Sequence, residues 1–249
     1  MEKYVLEACV DSVESALAAW EGGATRLELC SDLIVGGTTP SPCLFREIRS
    51  YVETRIHVLI RPRFGDFCYT DYETKVMEEE IQMFCELGAE GIVVGALEPD
   101  GALDMEKMER FVRAAKGRWV TLHRAFDVCR DPYQSLNDAE RLGVSCVLTS
   151  GQKNNALEGK ELLRDLNKRA EGRIQILAGG GIDAETIEKL YDTTKITAYH
   201  MSGKIVLDSP MKYRRGKVSM GLPGFSEYEM FRTSKEKVED ARKILESLK

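Results

Sequence analysis

Long apolar runs are missing from this 249-residue chain, and its first residues do not form a leader. No stretch approaches the roughly 18 apolar residues of a membrane-spanning helix. Met1-Glu2-Lys3-Tyr4-Val5 lacks the charged and then apolar regions of a signal peptide. The expectation is a cytoplasmic protein with no membrane partner. Histidine is scarce: His57, His123 and His200 are the three in the chain, so any histidine-based metal site draws on these. Seven cysteines (9, 30, 43, 68, 85, 129 and 146) include no Cys-x-x-Cys pair. An odd number, scattered and without a secretion signal, reads as free thiols in a reducing compartment. Basic residues are outnumbered, 35 against 41, for a formal charge of −6, which argues against nucleic acid as the partner. Neither a Walker A loop nor a Gly-x-Ser-x-Gly elbow occurs. No lysine sits at a predicted strand end in a position suited to a Schiff base, and nothing implies an organic cofactor.

What is present is a regular alternation. With 43% hydrophobic and 31% charged residues, the chain can bury a sizeable core. Short β-rich runs begin near Lys3, Thr25, Ile56, Gly91, Trp119, Ser145, Ile174 and Thr197. Helix-like stretches fill the gaps, among them Ser12 to Glu21, Tyr72 to Leu87, Met105 to Ala115 and Ala184 to Tyr191, and Lys235 to Leu248 closes the chain. Gly22-Gly23, Gly88 and Gly143 stand where helices stop before strands. Eight units of this size predict a single-domain (β/α)8 barrel over residues 1–249, ahead of a doubly wound open sheet. One connection is too long for an ordinary turn: residues 204–229, after the eighth strand, with Lys212, Arg214 and Arg215. In a barrel it lies on the C-terminal face, as a surface excursion or as a lid.

Side chains alternate along a strand, so parity separates the barrel interior from the helix-covered exterior. Leucine, isoleucine and valine take the outer positions. Glu7 and Cys9, then Arg26, Glu28 and Cys30, then His57, Arg61 and Arg63, then His123, and finally His200 and Ser202 are left facing inward. Several of these fall at strand C-terminal ends, where barrel active sites form. Buried charges are costly unless paired or used. A plain salt-bridge network, with Glu28 paired to Arg26 or Arg61, is the structural alternative to a site. A carboxylate beside an imidazole can work as an acid–base pair, and arginines hold carboxylate or phosphate. Gly179-Gly180-Gly181 after the seventh strand opens a helix capped by Asp183, a place for an anion. Thr149-Ser150-Gly151 offers further small donors. The repeated Glu7-Ala8-Cys9 and Glu28-Leu29-Cys30 predict two neighbouring thiols at the mouth, a soft pair suited to Cu(I), although cysteine also packs well as a small hydrophobe.

The chain resembles the CutC family. The resemblance is carried by Leu6-Glu7-Ala8-Cys9-Val10-Asp11-Ser12, Arg26-Leu27-Glu28-Leu29-Cys30-Ser31, Gly36-Gly37-Thr38-Thr39-Pro40-Ser41, Ile60-Arg61-Pro62-Arg63 and Gly65-Asp66-Phe67. It continues through Gly95-Ala96-Leu97, His123-Arg124-Ala125-Phe126-Asp127, Leu148-Thr149-Ser150-Gly151, Gly179-Gly180-Gly181-Ile182 and His200. The resemblance implies a (β/α)8 barrel, a cytoplasmic location and a role in copper homeostasis, with Cys9 and Cys30 as the copper ligands.

Two functions are therefore expected. The first is Cu(I) binding and copper homeostasis, implied by the resemblance. The second is acid–base chemistry, a proton transfer or elimination, on a small anionic or sugar-like substrate. In it Glu7 or Glu28 is the base, His123 the acid and Asp127 an orienting group, with His200 beside them. Arg61, Arg63, Ser150, Gly179, Gly180, Gly181 and Ser202 hold the substrate. A homodimer is the default expectation for assembly.

Overall fold

Eight parallel strands close into a barrel in chain order in the computed structural model, which describes residues 3–216, 218, 220–221 and 224–248. They are β1 (Val5–Val10), β2 (Arg26–Leu29), β3 (Arg55–Leu59), β4 (Gly91–Val94), β5 (Trp119–Leu122), β6 (Cys146–Thr149), β7 (Gln175–Gly179) and β8 (Ala198–Met201). β8 pairs back onto β1, so the open-sheet alternative is excluded. Every predicted strand start lies within two residues of the observed one.

The intervening helices are α1 (Val13–Glu21), α2 (Pro42–Arg49), α3 (Asp71–Glu86), α4 (Met105–Ala114), α5 (Pro132–Arg141), α6 (Lys160–Ala170) and α7 (Ala184–Thr194), and α8 (Lys235–Ser247) closes the ring. Their starts are written in the sequence. Ser12, Ser41, Asp104, Asp131, Asp183 and Ser234 each accept a first-turn N–H, and Thr70 forms a reciprocal capping box with Glu73. Only α6 starts without a side-chain cap, at Gly159. A Cβ there would fall 1.9 Å from the Ser150 carbonyl oxygen, so close approach of two loops dictates glycine. No helix among the described residues is long and apolar enough to cross a membrane.

The main core lies between barrel and helices. Leu6, Leu27, Val58 and Ile92 pack outward against Phe45, Phe84 and Phe111. Inside the barrel are two small apolar clusters, one of Val5, Cys146, Leu148, Leu177 and Ala198, the other of Cys9, Cys30, Leu59 and Val93. On β1, Glu7 sits between Val5 and Cys9, so a charged layer is sandwiched between them.

The 204–229 connection is a hairpin rather than a plain loop. β9 (Lys204–Asp208) pairs antiparallel with β10 (Glu229–Thr233). Positions 217, 219, 222 and 223 of the excursion lie outside the described residues. Arg214, expected to present positive charge, binds Asp208 through two 2.8 Å hydrogen bonds and stacks on Tyr228, so its charge is spent within the hairpin.

His57 makes the fold sensitive to acid. It is 2% exposed, packs beside Trp119, and its Nδ1 has no partner. Burial, reinforced by the positive charge of Arg26, pushes its pKa down to about 3. An unfolded chain takes up this proton near pH 6.5 and the folded one does not. The contribution is therefore complete above pH 6.5 and lost progressively as pH falls toward 3, at about 1.4 kcal/mol per unit. Urea denaturation at pH 7 and pH 5 checks it: wild type should lose about 2 kcal/mol more than His57→Gln over this interval.

Candidate functional site

Register places the site. Glu7 of β1 lies opposite Arg26 of β2 on one side and His200 of β8 on the other, and Cys9 lies opposite Glu28. Glu7 is completely buried. Arg26 Nε donates to its Oε2, and its Oε1 is 2.7 Å from His200 Nδ1. Burial alone would raise the Glu7 pKa, but the Arg26 charge and the His200 hydrogen bond outweigh it and hold the carboxyl far below the usual range. Glu7 is thus a fixed anion that orients the His200 ring.

With Nδ1 engaged, Nε2 is the nitrogen that faces the cluster, and it lies 3.7 Å from Glu28 Oε2. The sulfur of Cys9, a carboxylate oxygen of Glu28 and a ring nitrogen of His200 all lie within 4.8 Å of one another. Burial opposes charge on His200, yet the Cys9 sulfur and the Glu28 and Glu7 carboxylates prevail and raise its pKa well above the ordinary value. The Glu28 carboxyl is raised, mainly by burial.

Cys30 stands apart. Its thiol contacts Glu28 Oε2 at 3.4 Å and is fully buried with Leu59 and Val93. Burial and the adjacent Glu28 push its pKa far up, so it is a protonated thiol, and it is not one of the three clustered donors.

A cavity of about 440 Å³ opens beside the cluster, with Cys9, Glu28, Arg61, His123, Gly180 and His200 among the residues on its wall. A second, of about 590 Å³, is walled partly by the hairpin residues Lys204, Met230 and Phe231. The two share Cys9, Leu33 and Ser202.

The predicted site residues divide accordingly. Cys9, Glu28, Arg61, His123, Gly180, Gly181, His200 and Ser202 line the smaller cavity. Glu7 sits beneath it. Arg63 turns away to Glu73 and Asp66. Asp127 is consumed as a loop anchor, accepting from Thr149 Oγ1, Ser150 N, Gln152 N and Arg124 Nε. Ser150 donates to Lys153 O and is tied to Asp127. Gly179 is not on that wall, and a Cβ there would lie 2.5 Å from the Leu148 side chain. The sequence-level pairing is also corrected: Arg26 binds Glu7 rather than Glu28, and among the described residues Arg61 has no carboxylate partner. Arg26, Phe67 and Arg124 were missed as site components. Inward parity marked Arg26, and the runs Gly65-Asp66-Phe67 and His123-Arg124-Ala125-Phe126-Asp127 contained the other two without assigning them a role.

The architecture and the cluster define a (β/α)8 barrel with a thiol–imidazole–carboxylate donor set at its C-terminal mouth. The chain belongs to the CutC family, whose model matches residues 4–205. A CutC from Bacteroides fragilis is 44% identical over 244 residues, covering 96% of each chain. The Mus musculus copper homeostasis protein cutC homolog is 42% identical, over 97% of this chain and 87% of that one. A solved CutC structure from Streptococcus agalactiae superposes with a TM-score of 0.77 at 32% identity, over 80% of this chain and 98% of that one. A thiamine phosphate pyrophosphorylase from Pyrococcus furiosus, 16% identical with a TM-score of 0.58, shares the fold.

Removing the anchor anion should be severe. Glu7→Gln strands the buried Arg26 guanidinium, and losing one partner of a buried pair costs about 3–5 kcal/mol. Urea denaturation at pH 7 measures it, and a loss below about 1 kcal/mol would contradict the role assigned to Glu7.

Proposed function

We propose that this chain is a cytoplasmic copper-handling protein that holds Cu(I) as cargo at the barrel mouth, between Cys9 and His200 with Glu28 beside them. The observation that carries the reading is the convergence of one sulfur, one imidazole nitrogen and one carboxylate oxygen within 4.8 Å. Cu(I) favours soft, low-coordinate donors, and a thiolate with an imidazole meets that preference. The Glu7–His200 bond supports it, because ligating histidines commonly donate their other N–H to a carboxylate that fixes the ring. The mouse relative is named for copper homeostasis, and seven free cysteines fit a reducing cytoplasm. Cys30 is a reserve donor in this reading, since its ionisation is opposed by burial and by Glu28.

Binding competes with the proton on His200, so affinity should rise with pH. Cu(I) titration against a chromophoric chelator under anaerobic conditions tests the assignment. Cys9→Ser and His200→Gln should each weaken binding at least about tenfold, and Cys30→Ser should weaken it less. Wild-type affinity in the first two variants would remove this cluster from copper binding. Four-coordinate Zn²⁺ binding in preference to Cu(I) would overturn the choice of metal.

A further inference from the structure

Two side chains on the wall of the smaller cavity take no part in the thiol cluster. Arg61, just beyond β3, is 7% exposed. Its Nη1 donates to the carbonyls of Val35 and Gly37 at 3.3 and 3.0 Å, and Nη2 to that of Gly65 at 3.0 Å. The Phe67 ring lies 5.1 Å from its Cζ. These contacts orient the guanidinium without neutralising it, and its Nε has no partner. A buried, uncompensated cation is expensive unless something balances it.

His123, just beyond β5, presents a second donor. It is 5% exposed, and its Nδ1 accepts the Ala125 N–H at 3.2 Å, capping the short 3-10 turn that follows. That bond leaves the proton of the neutral ring on Nε2, which is buried and unpartnered. Burial and the Arg61 charge keep the ring neutral, with a pKa near 3. The same Phe67 ring packs against it at 5.0 Å, so one aromatic spans both groups. A Cβ at Gly95, just past the end of β4, would lie 2.7 Å from the imidazole, so the chain there is kept bare to seat it.

We propose that this part of the cavity binds a small organic carboxylate, balanced by Arg61 and hydrogen-bonded by His123 Nε2–H, near the Gly180–Gly181 turn. Charge selects the class. Glu7 is matched by Arg26, Glu28 faces His200 and Asp127 is matched by Arg124, which among the described residues leaves the positive charge of Arg61 unmatched on the wall. A monoanion balances it. A phosphate dianion would bring surplus negative charge toward Glu28. The site is independent of the copper reading, because neither Arg61 nor His123 belongs to the thiol cluster.

The test is calorimetric titration of the full chain, in buffer containing a metal chelator, with lactate, acetate and inorganic phosphate. Lactate or acetate should bind one to one, and more tightly than phosphate. Arg61→Gln should weaken this at least about tenfold, the loss expected for a charge-assisted hydrogen bond. Because Arg61 also ties two loops together, His123→Asn is the companion variant. Its Oδ1 can still accept the Ala125 N–H while the Nε2–H is lost, and carboxylate binding should again fall while circular dichroism stays unchanged. Cys43→Ser, an exposed thiol on α2 away from both cavities, should bind carboxylate like wild type. No saturable carboxylate binding, tighter phosphate binding, wild-type affinity in folded His123→Asn, or an equal loss in Cys43→Ser would each overturn the proposal.

Discussion

Everything at the barrel mouth depends on one buried anion. Glu7 has no access to water, and its charge survives because Arg26 lies on one side and His200 on the other. Removing a carboxylate from water costs several kcal/mol before any pairing. The pairing must therefore be geometrically tight, and three adjacent strands are locked in register around it. That lock sets the direction of the His200 ring. With Nδ1 tied down, Nε2 faces Glu28 and Cys9, and the donor cluster follows from the anchor below it rather than from the flexible side of the mouth.

The two Glu-x-Cys repeats show how position within a barrel divides identical patterns. Parity places both glutamates and both cysteines inside, and the structure agrees on the face. It does not follow that they lie at the same height. β1 and β2 pair Glu7 with Arg26 and Cys9 with Glu28, so the second repeat is shifted by two residues along the axis. Glu7 becomes the buried anchor, while Glu28 stands one layer higher beside Cys9. Cys30 is carried higher still, against Leu59 and beneath Gly37, where a Cβ would meet its sulfur at 3.6 Å. Two residues with the same sequence neighbours thus have different chemistry: Cys9 faces an imidazole, and Cys30 is a protonated thiol against a carboxyl.

This is also why the fold was more legible than the site. Strand and helix boundaries follow from hydrophobic alternation, caps and stop signals, all of which act within a few residues, and Ser12 and Asp183 mark their helices where expected. Which strands are neighbours then follows from closure in chain order. Heights do not, because they depend on the stagger between strands, which no local pattern records. Loop geometry was hidden for a related reason. Asp127 looked like a catalytic carboxylate from its motif, but its oxygens are saturated by the β6–α6 connection, a contact 22 to 25 residues away in sequence. The 204–229 excursion hid a hairpin because its two strands are separated by twenty residues, too far apart for a local turn signal to pair them.

Cys9 has a further property that its sequence neighbours do not reveal. It is only 7% exposed, yet it lies on the walls of both cavities. A ligand in either space can approach the sulfur, from the Arg61–His123 side or from the hairpin side, while bulk water reaches little of it. Such a position suits a group that must exchange with something brought in and is otherwise protected from oxidation, since susceptibility of a thiol follows its exposure. The charge pattern reinforces the asymmetry. Among the described residues the smaller cavity presents a cation balanced by no carboxylate, whereas the larger is bordered by Asp11, Asp32 and Glu229 together with Lys204 and Arg232. An anion is therefore favoured on one side of the sulfur only, and the barrel mouth has a direction imposed by where its unpaired charge lies.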